Sequence, residues 1–116
     1  MSRINGAQAE QRALSYLKQE GLVAVAANYR SRHGEIDLIL RDGMTLVFVE
    51  VRMRSNNDFG GARYSITADK QRKIITTARH YLAQLRTEPP CRFDVVLLGS
   101  GERPTIEWIR NAFTAD

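Results

Sequence analysis

The chain has 116 residues, 43% hydrophobic and 26% charged, enough for one domain with its own core and outside the disordered and fibrous classes. No apolar run reaches the roughly 18 residues of a bilayer span, and residues 1–5 lead into no apolar segment of the kind a secretory signal carries. One cysteine, Cys91, excludes an intramolecular disulfide and a cysteine-based zinc site. The expectation is a single domain over residues 1–116 in a reducing, cytoplasmic setting, with no membrane partner.

Net charge is +4, and it is unevenly placed. Residues 63–92 hold seven basic side chains (Arg63, Lys70, Arg72, Lys73, Arg79, Arg86, Arg92) against Asp69 and Glu88, while the rest of the chain is close to balanced. A local positive excess suits a polyanionic partner, although a solvated helix face has the same composition.

Asn5 can cap a first helix, with Gln8 as its capping-box partner and Ala9, Ala13, Tyr16 and Leu17 as the apolar stripe. Gly21 is placed to end it. Residues 22–29 lean to strand through Val23, Val25 and Tyr29, and Gly34 breaks the chain. Residues 36–40 and 46–51 read as strands joined by an Asp42-Gly43 hairpin turn. Residues 53–66, with Ser55-Asn56-Asn57 and Gly60-Gly61, read as a loop. Thr67 can cap a second helix to about Leu85, with Ile74, Ile75, Ala78, Leu82 and Leu85 inward. Pro89-Pro90 stops it. Residues 93–98 form an apolar run typical of a strand buried on both faces, and residues 105–109 a final strand or edge segment. The order α-β-β-β-α-β, with a final β added, predicts a mixed α/β sheet between two helices.

The chemistry centres on the hairpin. A two-residue Asp42-Gly43 turn sets Asp37 against Phe48 and Glu35 against Glu50. With period-two alternation, Glu35, Asp37, Phe48, Glu50 and Arg52 share one face, and Ile36, Leu38, Leu40, Val47, Val49 and Val51 share the other. Asp37 and Glu50 are then diagonal neighbours, roughly 7–8 Å apart at the backbone. Two carboxylates so placed can converge on a hard divalent cation such as Mg²⁺ or Mn²⁺. The alternative is that Glu35 and Asp37 pair with neighbouring arginines on an exposed sheet face. Arg52 follows on the Glu50 face and can offset phosphate charge, but it cannot act as a general base. Lys70 sits on the inward stripe in the first turn of the second helix, where a cation opposes the helix dipole. It can reach a carboxylate cluster or a phosphate, or simply snorkel. Arg72, Arg79 and Arg86 recur every seven residues as an outer ridge, a phosphate-contacting or merely solvated surface. His33 and His80 lack a second histidine at ligand spacing and read as structural or surface residues.

Gly34-Glu35-Ile36-Asp37-Leu38-Ile39 and Val47-Phe48-Val49-Glu50-Val51-Arg52 resemble the G-E-x-D and E-x-K elements of PD-(D/E)xK nucleases. Adding Gly6 with Glu10, Asn28-Tyr29-Arg30, Lys70 and Arg92-Phe93-Asp94-Val95-Val96, the whole chain resembles the YraN family of small bacterial proteins. That family is similar to archaeal Holliday-junction resolvases. The resemblance implies a restriction-endonuclease-like αβββαβ core with a mixed central sheet flanked by helices. It implies acidic positions at Glu10, Asp37 and Glu50, a Val51 backbone carbonyl facing a Mg²⁺ or Mn²⁺ ion, and Glu35 beside them. Arg52 falls where many such nucleases have lysine, and Lys70 can supply a migrated lysine.

The leading functional expectation is therefore a metal-dependent endonuclease on DNA, branched or recombination intermediates included. Catalysis would fall to Asp37, Glu50, Arg52, Lys70 and Glu10, and nucleic-acid contacts to Arg72, Lys73 and Arg79. A nucleic-acid-binding module with a degenerate site and a protein-assembly subunit are the competing readings. The sequence leaves monomer and homodimer open.

Overall fold

A computed structural model describes residues 5–54, 66–99 and 105–115. Its elements are α1 (Gly6–Gln19), β1 (Val23–Ser31), β2 (Gly34–Asp42), β3 (Thr45–Arg54), α2 (Ala68–Leu82), β4 (Cys91–Gly99) and β5 (Ile106–Phe113). The loop expected at residues 53–66 falls, between Arg54 and Ile66, outside the described residues.

Both helices start where the sequence places their caps. Asn5 and Gln8 exchange reciprocal 2.8 Å bonds in a full capping box. Thr67 accepts from the Lys70 amide at 3.1 Å. Gly21, at φ 100, closes α1 in a conformation that costs glycine nothing. The second helix is shorter than expected. It ends at Leu82, so Leu85 is 37% exposed and Arg86 lies beyond the helix rather than on a continuous ridge with Arg72 and Arg79.

The strands form one sheet in the order β1-β2-β3-β4-β5. Only β3 and β4 are parallel, and α2 is the crossover between them; the other neighbours are antiparallel. This is the αβββαβ order with one strand appended. Leu38, Leu40, Val47, Val49, Val96 and Leu98 pack under Ala9, Ala13 and Leu17 of α1. Ile36, Ile39, Leu46, Phe48 and Phe93 pack under Ile74, Ala78 and Leu82 of α2. Both sheet faces are therefore core. Phe48, expected on a polar face, is 1% exposed.

The hairpin corrects the expected register. Asp42 pairs with Thr45, and Gly43-Met44 form the loop. Gly43 takes φ 61 as the first loop residue, the φ sign of a type II′ turn. Moving the loop by one residue shifts partners by two and leaves facing parity intact. Leu38 pairs with Val49, which puts Asp37 level with Glu50, while Glu35 pairs with Arg30 on the other neighbour. The like-charge confrontation is thus Asp37 with Glu50, not Glu35 with Glu50.

Alternation also fails at this level. Ile36 joins the α2-side core and Leu38 the α1-side core, although two residues apart they should share a face. The expectation that Ile36 sits with Leu38 and Leu40 is overturned by this local break. Asn28 lies in β1 between the Ala27–Leu38 and Tyr29–Ile36 pairs, level with Asp37, and has φ 53. The irregularity therefore spans adjacent strands at one level, which is where the acidic residues gather.

Candidate active site

The carboxylates arrive from three elements. Glu10 projects from α1, Glu35 and Asp37 from β2, and Glu50 from β3. Carboxylate oxygens of Glu10, Glu35 and Asp37 lie within 4.8 Å of one another, and all three residues are half-buried. Glu50 is not a member of that mutual set, but it is buried at 7% exposure and its charge acts on Asp37. No histidine joins a candidate metal set among the described residues.

Asp37 stands where the β2–β3 ladder ends. Its Oδ2 accepts the Val51 amide at 2.8 Å, so the side chain replaces a ladder bond beyond the last pair. Val51, whose carbonyl the resemblance assigns to the ion, is thereby fixed to Asp37 through its N–H. Burial pushes the Asp37 carboxyl up to about 7, helped by the neighbouring Glu50 charge and opposed by the Val51 amide. A hydrogen bond with the Glu50 carboxyl acts in the same upward direction within that shift. Glu10 is also raised, first by burial, with Asn28 pulling it back and Asp37 and Glu35 adding repulsion.

Cations flank this cluster. Lys70 Nζ lies 3.4 Å from Glu50 Oε2, and Arg52 Nη1 is 3.9 Å from the same oxygen. Lys70 therefore reaches the carboxylates from the first turn of α2, one of the positions its sequence context leaves open. Arg30 Nε binds Glu35 Oε2 at 3.1 Å from β1. Asn28 Nδ2 donates to Glu10 Oε1 at 2.8 Å and to Glu35 Oε1 at 3.1 Å. Asn28 is a site residue to which the sequence alone assigns no role. The signal is present in its type, since asparagine is the non-glycine residue most at ease at positive φ.

The residues expected to hold nucleic acid are less concentrated. Arg72 and Lys73 both pair with Asp69, at 3.4 and 3.2 Å, and Lys73 holds the Asp69 carboxyl below its usual range. Arg79 is exposed in the last turn of α2. Helix α2 is anchored close to the carboxylate end. Thr77 Oγ1 meets Ser31 Oγ at 3.1 Å, and a Cβ on Gly34 would come within 3.3 Å of Lys73 Cβ. That close approach is what keeps Lys70 within reach of Glu50.

An oxygen-only donor set matches a hard divalent cation. Ligands on opposite sides of an ion at about 2.1 Å are about 4.2 Å apart, so separations within 4.8 Å need only small side-chain rotations. Burial first, and then the mutual repulsion of the carboxylates, holds Asp37 and Glu10 above their usual range. The residues present fit such a group.

The sequence model of the uncharacterised protein family UPF0102 matches residues 9–98. This chain belongs to that family. It is 63% identical to a UPF0102 protein of Nitrosospira multiformis, over 96% of this chain and 93% of the relative. A UPF0102 protein of Nitrosomonas europaea is 57% identical over 93% of this chain and 92% of its own length. One of Cupriavidus taiwanensis is 58% identical over 96% and 83%. The matched span of UPF0102 takes in Glu10, Glu35, Asp37, Glu50, Arg52 and Lys70, and it ends before β5. Among the described residues, no helix is long and apolar enough to cross a membrane.

Proposed function

We propose that this UPF0102 protein is a metal-dependent nuclease that hydrolyses phosphodiester bonds in DNA, with branched or recombination intermediates as the substrate class its resemblance implies. One observation carries the reading: Glu10, Glu35 and Asp37 converge within 4.8 Å at a break in the sheet. Glu50 adds a fourth carboxylate whose charge acts on Asp37.

A bound Mg²⁺ or Mn²⁺ would supply a Lewis acid and a water of lowered pKa. Asp37 is oriented for this by the Val51 amide, and Glu50 by Lys70 and Arg52. Glu10 and Glu35 complete the oxygen cradle. Lys70, half-exposed at the mouth, offers its charge to a phosphate oxygen, and Arg52 steadies negative charge without exchanging a proton. Arg72, Lys73 and Arg79 extend positive charge along α2, where backbone phosphates would lie.

The test is cleavage of linear, flapped and four-way-junction DNA in Mn²⁺ by wild type and Asp37→Ala. Wild-type cleavage that disappears in the variant supports the reading. A second reading, a nucleic-acid-binding module with a degenerate site, draws on Arg52, whose guanidinium stands 3.9 Å from Glu50 where a lysine is usual. Salt-sensitive DNA binding with no turnover by wild type or by Arg52→Lys would favour it.

A further inference from the structure

The carboxylate cluster contains a neutral side chain that none of the charge arguments requires. Asn28 is one of two non-glycine residues at positive φ among the described residues, with φ 53 in the middle of β1. Left-handed backbone inside a strand breaks the ladder, and such strain persists where the surroundings enforce it. Here the conformation sends one side-chain nitrogen to two acids from different elements, Glu10 of α1 at 2.8 Å and Glu35 of β2 at 3.1 Å. Carboxylates only accept, so the amide nitrogen and not the oxygen must face them. Its two N–H bonds then match the two acids one to one.

We propose that Asn28 is the positioning residue of the metal site, fixing Glu10 and Glu35 at ion-binding spacing without neutralising them. The proposal rests on the metal-site reading above. A lysine or arginine at this point would hold the same two acids but cancel charge the cation needs. An apolar residue would leave Glu10 and Glu35 to repel each other outward. The amide does neither. Arg30 reinforces only Glu35, from the outside, at its other oxygen. Glu10 has Asn28 as its hydrogen-bond donor and otherwise faces the negative charges of Asp37 and Glu35. Among the described residues Asn28 is thus the neutral donor that draws Glu10 toward the sheet against the repulsion of Asp37 and Glu35.

The experiment separates side chain from backbone. Asn28→Gly keeps φ 53 accessible and removes only the amide. Mn²⁺ affinity is read from free Mn²⁺ by electron paramagnetic resonance, and melting is followed separately in chelator. The expected result is a Kd about 10- to 100-fold weaker, the usual effect of removing a group that holds a metal ligand. The metal-free melting temperature should stay within a few degrees of wild type. Wild-type affinity in Asn28→Gly overturns the proposal, as does an affinity loss that only tracks a collapse in metal-free melting. If the variant does not fold, the wild-type protein still decides. In a Mg²⁺ titration by NMR the Asn28 side-chain NH₂ signals should move with the same midpoint as the Glu10 and Glu35 carboxyl carbons. An NH₂ pair that stays in place overturns it. Should wild type bind no Mn²⁺, the metal-site reading fails first and takes this proposal with it; should wild type bind and Asn28→Gly bind equally, only the role of Asn28 fails.

Discussion

Replacing Asp37 by asparagine should make the metal-free protein more stable at pH 8. Folding raises the Asp37 carboxyl from 3.8 to about 7. A folded-state value above the unfolded one means that the native state binds the proton more tightly. The stabilisation it gives is complete below about pH 3.8 and is lost as pH rises through about 7. Above that, the chain keeps a buried charge beside Glu50, at a cost of about 4 kcal/mol. Asparagine is the uncharged near-isostere. Its Oδ1 can still accept the Val51 amide, and its NH₂ can donate to Glu50. Part of the 4 kcal/mol should be recovered, and for a chain of this size about 1 kcal/mol moves the melting point by about 3–5 °C. An increase of about 5–15 °C in chelator at pH 8 is expected. The gap should close progressively between pH 7 and pH 4, as wild type takes up its proton. Millimolar Mn²⁺ should reverse the order by stabilising wild type and leaving Asp37→Asn unmoved, because only an ionised Asp37 rewards the ion. Thermal or urea melts at pH 4.5, 6 and 8 with and without Mn²⁺ measure all of this. An Asp37→Asn protein less stable than wild type at pH 8 without metal, or a difference independent of pH, would falsify the claim that unneutralised charge dominates this site.

Three further outcomes follow from the same geometry. Lys70→Ala should remove turnover while Mn²⁺ still binds, since the Glu10–Glu35–Asp37 set is untouched and Arg52 still contacts Glu50; cleavage at the wild-type rate would refute its role. Reversing the charge of Arg72 and Arg79 should weaken DNA binding across sequences alike and make log Kd less steep in log salt, by about one unit for each phosphate no longer neutralised; an unchanged salt slope in a binding titration argues against α2 as the DNA-facing helix. Asp94→Ala should destabilise the fold by about 3–5 kcal/mol whether or not metal is present, because it takes from a partly buried arginine its two-oxygen partner and leaves an indole N–H without its acceptor; a urea melt within about 1 kcal/mol of wild type contradicts that.

Caps, periodicity and the order of elements are legible in the sequence because each is set by near neighbours along the chain. Asn5 with Gln8, Thr67, Gly21 and the Ala9–Ala13–Leu17 stripe all act as local chemistry dictates. The hairpin register is not legible, since Asp42-Gly43 and Gly43-Met44 both offer a glycine to a two-residue loop. Only strand pairing decides between them, and it chooses the one that sets Asp37 level with Glu50. The expected polar character of one sheet face fails for a related reason. Simple alternation requires β2 to stay regular, but the break between Ile36 and Leu38 sends Ile36 under α2. The convergence of Glu10 and Asn28 on Glu35 and Asp37 joins residues up to 27 positions apart across α1, β1 and β2. No local pattern carries it, which is why Asn28 has no role on sequence grounds and Glu10 only one implied by resemblance.

Asp94 and Asp37 both lie within strands of this sheet, and the fold treats them in opposite ways. Asp94 is 0% exposed and fully attended. Arg92 Nε meets both its oxygens at 3.1 Å, Trp108 Nε1 donates at 2.9 Å and the Asn111 amide at 3.0 Å. Arg92 is itself shared with Asp42, an ion pair at 3.0 Å that lies off hydrogen-bond alignment. Among the described residues, Asp37 accepts the Val51 amide and otherwise faces Glu50, Glu35 and Glu10. Each aspartate has beside it an asparagine in left-handed backbone, Asn111 at φ 51 and Asn28 at φ 53. At Asn111 the distortion turns a backbone N–H onto the aspartate and satisfies it. At Asn28 it turns a side-chain amide onto two further acids and gathers more negative charge around Asp37. The chain thus has, a few strands away, the means to neutralise a buried aspartate with an arginine and an indole, and at Asp37 it does not use them. The nearby cations go to its neighbours instead, Lys70 and Arg52 to Glu50 and Arg30 to Glu35. A site arranged for stability alone would resemble the one around Asp94. The one around Asp37 carries a standing electrostatic cost that a divalent ion removes, which is the physical reason to look for function there.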